Sequence, residues 1–360
     1  MPNLKSKKNS NVTESIYFTM PNDFDSISDF YIPAISPRSG VYYPGAVHIH
    51  TNDFIDDIVD YLHTQCLKKT TDDFSIRFKI ANEKETIIFR GRRIKSIDCD
   101  WFALRRLPKK VPELSKLNFN KNIHDFFKSE KIENGLFIVC GETGNGKTTT
   151  LASIINYRLR NMASFCMTIE DPIEMPLEGY YDNFDKNNNY IGRGVCIQTE
   201  VSSADEKEYG LAVKGALRSY PTSSNSILFL GEIRDGLTAM EALKIAASGH
   251  LVMTTLHAND IQSGIKRYMD MCKSTGKSIE EIKSLLSSVI RVIVHQELVN
   301  IHGTKEKKPS IKLAYSPDSK SQLAGAINQE KMDSGLPSVL QLQHSIVSSG
   351  KDIIDEITKP

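Results

Sequence analysis

The chain has 360 residues, 40% of them hydrophobic, which is enough for two packed domains with ordinary cores. Its 45 basic residues against 44 acidic ones leave a formal net charge of +1, so no overall field favours nucleic acid or an anionic membrane. Neither a signal-peptide core nor an apolar run of membrane-spanning length is present, so we expect a cytosolic protein without a transmembrane segment.

The six cysteines are far apart in the sequence and form no C-x-x-C pair. This spacing argues against a zinc site and against a disulfide framework. We therefore expect buried free thiols.

The N-terminal part is predicted to contain a polar mobile arm over residues 1–25 and a small α+β domain over 26–107. Apolar residues recur at helical spacing after a cap at Thr51 or Asn52, and alternating or β-branched residues over 74–80 and 86–90 predict strands. The helical positions are Ile55, Ile58, Val59, Leu62 and Cys66. Two prolines and two lysines then interrupt the pattern, which predicts a linker over 108–122.

Residues 123–360 are predicted to form a larger α/β domain. Short, largely apolar runs alternate there with helical stretches, at 135–140, 165–169, 227–230 and 251–255. Such runs are typical of strands buried on both faces of a parallel sheet.

A phosphate-binding motif follows the first of these runs. The segment Gly141-Glu-Thr-Gly-Asn-Gly-Lys-Thr148 fits G-x-x-x-x-G-K-[ST], with a predicted strand before it and a predicted helix after it. That context favours a P-loop over a chance Gly-rich turn with an exposed lysine. Lys147 is expected to reach the β- and γ-phosphates of ATP, and the Thr148 hydroxyl to coordinate Mg²⁺. The predicted cradle comprises Gly141, Thr143, Gly144, Asn145, Gly146, Lys147, Thr148 and Thr149.

Polar residues also stand at the ends of the other predicted strands. Glu232 ends one apolar run, Glu170, Asp171 and Glu174 follow another, and His257 follows a third. Each signal is weak alone, since strand-end carboxylates are often caps and lone histidines are often structural. Because parallel strands present their carboxyl ends at one sheet edge, these residues are expected to converge on the P-loop.

The sequence here resembles the type II/type IV secretion and pilus-retraction ATPases, whose four marks occur in family order. They are the Walker A loop Gly141–Thr150, the Asp box Thr168-Ile-Glu-Asp-Pro-Ile-Glu174, the Walker B segment Ile227–Asp235 and the His box Gly249–His257. The segments 290–298 and 342–352 also look like family pieces. The resemblance implies a RecA-like P-loop domain behind a smaller PAS-like α+β domain, forming a hexameric, ATP-hydrolysing motor.

The resemblance also implies roles for particular residues. Glu174 would be the base that polarises the lytic water, Glu232 would lie beside Mg²⁺, and His257 would sense the γ-phosphate. His250 also matches, and a structural role for it is equally open. An N-terminal arginine would reach a nucleotide held by the next domain; the candidates are Arg77, Arg93 and Arg105, and the R-x-[IL]-P-like pattern favours Arg105.

The interval between the Asp box and Walker B is long, and the Asn-rich stretch Asp182–Tyr190 looks like an inserted loop. With an insert at this place, the sequence resembles the ATPases of the Dot/Icm and IncI-conjugation branch of type IVB systems. The resemblance then implies homohexamers working with inner-membrane secretion or pilus complexes, peripheral to that membrane.

Three alternatives stay open. A P-loop phosphotransferase would need a mobile arginine-bearing lid, and a non-catalytic nucleotide-binding assembly module would hold a shape without hydrolysis. A nucleic-acid motor would need a basic, aromatic-interleaved surface. The cluster Lys305, Lys307 and Lys308 has no aromatic neighbours and is interpreted as a solvated loop, so nucleic-acid binding is not indicated.

Overall fold

A computed structural model describes residues 15–16, 27–43, 47–48, 53–80, 86–185, 187–201, 206–221, 225–301, 307–329 and 332–358. The expected mobile arm, except for residues 15–16, lies outside this range, as do Thr51, Asn52 and Lys305. The chain divides into two compact units, Met1–Lys110 and Val111–Pro360.

The first unit is a seven-stranded sheet with one α-helix among its described residues. Its strands run in the order β1-β5-β6-β7-β2-β3-β4; β1 is parallel to β5 and the other neighbours are antiparallel. The elements are β1 (Ser15–Ile16), β2 (Asp29–Pro33), β3 (Val41–Tyr43), β4 (Val47–His48), α1 (Asp53–Leu67), β5 (Asp73–Ile80), β6 (Thr86–Ile94) and β7 (Trp101–Arg106). The predicted α+β character is confirmed.

Helix α1 packs its apolar stripe against one face of this sheet. The five residues at helical spacing, Ile55 to Cys66, are all buried and share a core with Phe30, Phe78 and Phe89. Full burial of one such side chain contributes about 1.5–3 kcal/mol, so packing holds this helix more than intrinsic propensity does.

The second unit begins with a short helix and then alternates strands and helices. Its elements are α2 (Lys121–Phe127), β8 (Gly135–Cys140), α3 (Lys147–Asn161), β9 (Phe165–Glu170), β10 (Gly179–Phe184), β11 (Tyr190–Glu200), α4 (Glu206–Ala216), β12 (Ser226–Glu232), α5 (Gly236–Ala247), β13 (Leu251–Leu256), α6 (Ile261–Lys273), α7 (Ile279–Val289), β14 (Ile290–Asn300), β15 (Lys307–Tyr315), α8 (Gln322–Asn328), α9 (Met332–Ser348) and α10 (Ile353–Thr358). All four apolar runs predicted as strands, β8, β9, β12 and β13, are strands.

These strands form one eight-stranded sheet in the order β10-β11-β9-β12-β13-β8-β14-β15. The six central strands are parallel, and β10 and β15 are antiparallel edge strands. The pairing of Cys140 with Leu256 and of Glu232 with Thr255 brings the carboxyl ends of β8, β13 and β12 to the same edge.

Both faces of this sheet are covered. In β8, Leu136, Ile138 and Cys140 belong to the core under α5–α8, whereas Phe137 and Val139 belong to the core under α2 and α3. Two-sided burial explains why these strands read as continuous apolar runs and not as alternating ones.

The structure corrects two details. The stretch Asp182–Tyr190 is not simply a loop: residues up to Phe184 pair with β11, so the insert is a β-hairpin with its turn near Asp185. Lys307 and Lys308 are exposed as expected, but they begin β15 and pair with Asn300 and Val299.

The segment predicted as a linker, 108–122, contributes Leu114 to the core of the second unit. Five cysteines are buried free thiols, and Cys99 is half-buried. Among the described residues, the helices are too short or too polar to cross a bilayer.

Candidate nucleotide site

The P-loop joins β8 to α3 at the carboxyl edge of the sheet. Gly141 follows Cys140 with φ +151°, and Gly146 caps α3 with φ +74°, values that glycine adopts without steric cost. A Cβ at Gly141 would lie 2.4 Å from the backbone oxygen of Gln296. The loop therefore has the backbone shape that turns N–H groups toward an anion at a helix N-terminus.

Lys147 is buried at the base of this loop. Its Nζ donates to the carbonyl oxygens of Gly141 and Glu142, at 2.9 and 2.8 Å. Burial lowers the lysine pKa, while the negative charges of Glu232 and Glu174 act in the opposite direction. The ammonium group thus lies in a loop at the same sheet edge as the strand ends that carry the two predicted catalytic carboxylates.

Glu232 is the last residue of β12, with about a quarter of its side chain exposed. Its Oε2 accepts a hydrogen bond of 2.9 Å from Nε of Arg234. Burial works to lower the Arg234 pKa, but the bond to Glu232 and its charge outweigh burial, so the pKa is raised. Sequence reasoning gave Arg234 no role, although its place two residues beyond Glu232 was a signal.

The Asp box follows β9, and its first carboxylate is a buried anchor. Glu170 accepts a 2.9 Å bond from Gln198 of β11 and a bond from the backbone N–H of Glu174. Burial raises its pKa to about 7, although these bonds act to lower it. Glu174 itself is half-buried. The sequence offered no signal for Gln198, which lies 28 residues away on another strand.

The two histidines of the His box lie at opposite ends of β13. His257 follows the strand, and its Nε2 is 2.5 Å from the hydroxyl of Thr143 in the P-loop. His250 precedes the strand, where its ring contacts Tyr220 at 4.8 Å between centroids and its Nδ1 bonds Ser226. Of the two open readings of His250, this position supports the structural one.

The threonines that follow Lys147 differ in environment. Thr148 and Thr149 are half-buried in the first turn of α3. Thr150 is buried and donates to the side-chain oxygen of Gln296, at 2.8 Å. Gln296, like Arg234 and Gln198, is a residue that sequence reasoning did not single out.

The three N-terminal arginine candidates are not equivalent within the first unit. Arg93 is half-buried, donates to the Lys69 carbonyl at 2.9 Å and lies 5.6 Å from the centre of the Phe102 ring. Arg105 has 72% of its side chain exposed and pairs with Asp29 at 2.9 Å. Arg77 is half-buried on β5. Arg93 is thus engaged in packing, whereas Arg105 extends into solvent.

The donor set fits a nucleotide with a hard divalent cation. A buried lysine, a glycine-rich helix N-terminus, a hydroxyl and carboxylates are the groups such a ligand requires. The described residues contain no cluster of three or more His, Cys, Asp or Glu side chains arranged for a metal.

The parallel sheet, the P-loop and the strand-end carboxylates define a P-loop protein with a RecA-like fold. Residues 64–335, about three quarters of the chain, match the family described as type II/IV secretion system protein. The chain belongs to this family.

Individual relatives agree with that assignment. The chain is 31% identical to the type II secretion system protein E of Pseudomonas aeruginosa, over 67% of this chain and 43% of the relative. The chain spans about half the length of the first curated relatives it matches, with 53%, 41% and 52% of each covered.

Two solved structures share the fold. The pilus retraction motor PilT, solved with bound ADP, has a TM-score of 0.65 and 24% identity, over 93% of this chain and 94% of that one. The Legionella pneumophila ATPase DotB has a TM-score of 0.61 and 21% identity, over 89% and 84%. The predicted RecA-like domain with a smaller N-terminal unit is confirmed.

Proposed function

We propose that this protein is an ATP-hydrolysing motor that powers a secretion or pilus apparatus. One observation carries the proposal: the P-loop with its buried Lys147, Glu232 at the end of β12 and the Asp box after β9 share the carboxyl edge of a single parallel sheet. A loop that only bound phosphate would not require two carboxylates at this place, whereas hydrolysis requires groups that position a cation and a water molecule.

We assign each side chain of the site a separate role in ATP hydrolysis. Lys147 binds the β- and γ-phosphates, and Thr148 and Glu232 would hold Mg²⁺, which would offset the charge that develops on the phosphate oxygens. Glu174 orients the attacking water, since it is half-buried and anchored through its backbone to Glu170. His257, bonded to Thr143, links the γ-phosphate end of the loop to β13.

Arg105 completes the site of a neighbouring copy in a homohexamer and stabilises transition-state charge. The exposure of its side chain supports this role, because an arginine finger must reach a target outside its own subunit. Hydrolysis would then change the geometry between subunits, since a site built by two units differs between nucleotide states.

The motor acts on the cytoplasmic side of the inner membrane, through membrane proteins of the apparatus. Type II secretion and pilus proteins among the relatives support this setting. We place the chain in the Dot/Icm and IncI-conjugation branch; the inserted hairpin β10–β11 and the fold shared with DotB support that placement.

The test is phosphate release by the purified full-length chain. We expect ATP hydrolysis that EDTA abolishes, no hydrolysis by Lys147→Ala, and a Glu232→Gln variant that binds ATP without cleaving it. Mass photometry with and without ATP on the same sample checks for hexamers.

Other outcomes would replace the proposal. Phosphate appearing on a small acceptor in place of free phosphate would indicate a phosphotransferase. Tight ATP binding without phosphate release, with or without membrane partners, would indicate an assembly module. Undiminished turnover by Glu232→Gln would refute the role given to that residue.

A further inference from the structure

A buried glutamine connects β14 to the P-loop and to the helix that follows it. The Gln296 Nε2 donates to the backbone oxygen of Asn145 at 2.6 Å, and its Oε1 accepts the hydroxyl of Thr150 at 2.8 Å. Gln296 and Thr150 are 1% and 2% exposed. One amide therefore spans the apex of the loop and the first turn of α3.

The orientation of this amide is fixed by its partners. A backbone carbonyl oxygen can only accept a hydrogen bond, so the NH₂ group must face Asn145. This leaves Oε1 for the Thr150 hydroxyl, which is able to donate. A flipped amide would place two acceptors against each other in a buried position.

The bond to Asn145 also sets the direction of the next amide. In a trans peptide the C=O and the N–H point in opposite directions. Because Gln296 holds the Asn145 carbonyl toward β14, the N–H of Gly146 points away from β14. That N–H belongs to the residue before Lys147, where a P-loop presents donors to phosphate.

The same strand supports the loop at two further points. The backbone N–H of Leu298 donates to the side-chain oxygen of Asn145 at 3.2 Å. The Gln296 carbonyl leaves no room for a Cβ at Gly141. Strand β14 thus contacts the P-loop along one side and restricts its backbone conformation.

We propose that Gln296 is a positioning residue for nucleotide binding, holding the Asn145–Gly146 peptide so that its N–H faces the phosphates. This inference rests on the proposed function, because it assumes that the loop binds a nucleoside triphosphate. Gln296 does not touch the nucleotide itself and acts through the loop.

The experiment compares Gln296→Leu, Thr150→Val and their double variant with Gln343→Leu in the full-length chain. Gln343 is a matched control: it is buried and its amide also makes two hydrogen bonds, but to the backbone of Tyr315 on β15. For each variant, Tm, Kd for a fluorescent ATP analogue, KM and kcat are measured.

We expect Gln296→Leu to raise Kd and KM about tenfold, with kcat within about threefold, because a preorganised donor is lost from ground-state and transition-state binding alike. Thr150→Val should raise Kd less. The double variant should bind no more weakly than Gln296→Leu, since both changes break one network. Gln343→Leu should lower Tm and leave Kd unchanged.

A pH series on Gln296→Glu adds a readout that a purely structural role would not move. The introduced carboxyl, when ionised, offers only acceptors to the Asn145 carbonyl; when protonated, it regains a donor. Burial raises its pKa, so the ratio of the variant Kd to the wild-type Kd should fall as pH drops from about 8 to about 6.

The failures are distinguishable. Wild-type protein that binds the analogue but releases no phosphate refutes the hydrolysis proposal, while the Kd comparison still decides the role of Gln296. Wild-type protein that binds no nucleotide overturns both. A Gln296→Leu variant whose folded fraction binds like wild type, whatever its Tm, overturns the inference.

Discussion

The hydroxyl of Thr143 and Nε2 of His257 lie 2.5 Å apart, joining the loop after β8 to the loop after β13. These residues are 114 positions apart in sequence and meet because β8 and β13 are parallel neighbours ending in register. This hydrogen bond therefore links the P-loop to the end of β13.

The first prediction separates the two histidines of the His box. His257→Ala should lower kcat about tenfold, the scale of one well-placed hydrogen bond, with little change in Tm. His250→Ala should lower Tm through its lost contacts with Ser226 and Tyr220, with turnover per folded molecule unchanged. Phosphate release and thermal melts on both variants check this, and equal kinetic losses would contradict it.

The second prediction concerns the N-terminal arginines. Arg105→Ala should lower kcat about 10³-fold if Arg105 is the finger, and shift stability by less than about 1 kcal/mol because its ion pair is exposed. Arg93→Ala should instead destabilise the first unit by about 1–2 kcal/mol, since it loses the Lys69 carbonyl and the Phe102 ring. The measurements are turnover and urea unfolding. A finger at Arg77 would show as the large kinetic loss in Arg77→Ala.

The third prediction follows from the buried carboxyl of Glu170. Its pKa is about 7 in the fold against 4.5 for a free carboxyl, so the folded state binds the proton more tightly. Stability is therefore highest below the unfolded pKa and falls as pH rises from about 4.5 to about 7, by at most on the order of 3 kcal/mol. Glu170→Gln mimics the protonated form and lacks this loss. The Tm of the variant relative to wild type should rise from pH 5 to pH 8, and a constant difference would contradict the assignment.

The fourth prediction tests the glycines of the loop. Gly141→Ala should destabilise the protein strongly, because the new methyl would lie 2.4 Å from the Gln296 carbonyl. Gly144→Ala meets no atom within 4 Å, so it should cost only the strain of its positive φ, about 1–2 kcal/mol. Chemical unfolding of both variants gives the comparison; equal losses would show that the contact with Gln296 is not the cause.

Local pattern predicted four of the six central strands of the second unit (β8, β9, β12 and β13), helix α1 and the P-loop. In these segments one period of hydrophobicity or one contiguous motif carries the information, so neighbouring residues suffice. The stretch Asp182–Tyr190 is predicted as a loop because it has no apolar alternation, yet its first residues belong to β10. Strand β10 is held by backbone hydrogen bonds to β11, which the local sequence does not signal.

The sequence by itself determined that Gly141–Thr148 forms a P-loop between a strand and a helix, and that carboxylates stand at other strand ends. Only the tertiary structure decided which distant side chains hold that loop and its neighbours: Gln296 against Asn145, and Gln198 against Glu170. The first contact joins β14 to the loop after β8, and the second joins β11 to β9. Strand order and register are set by packing over the whole sheet, which no local window of sequence contains.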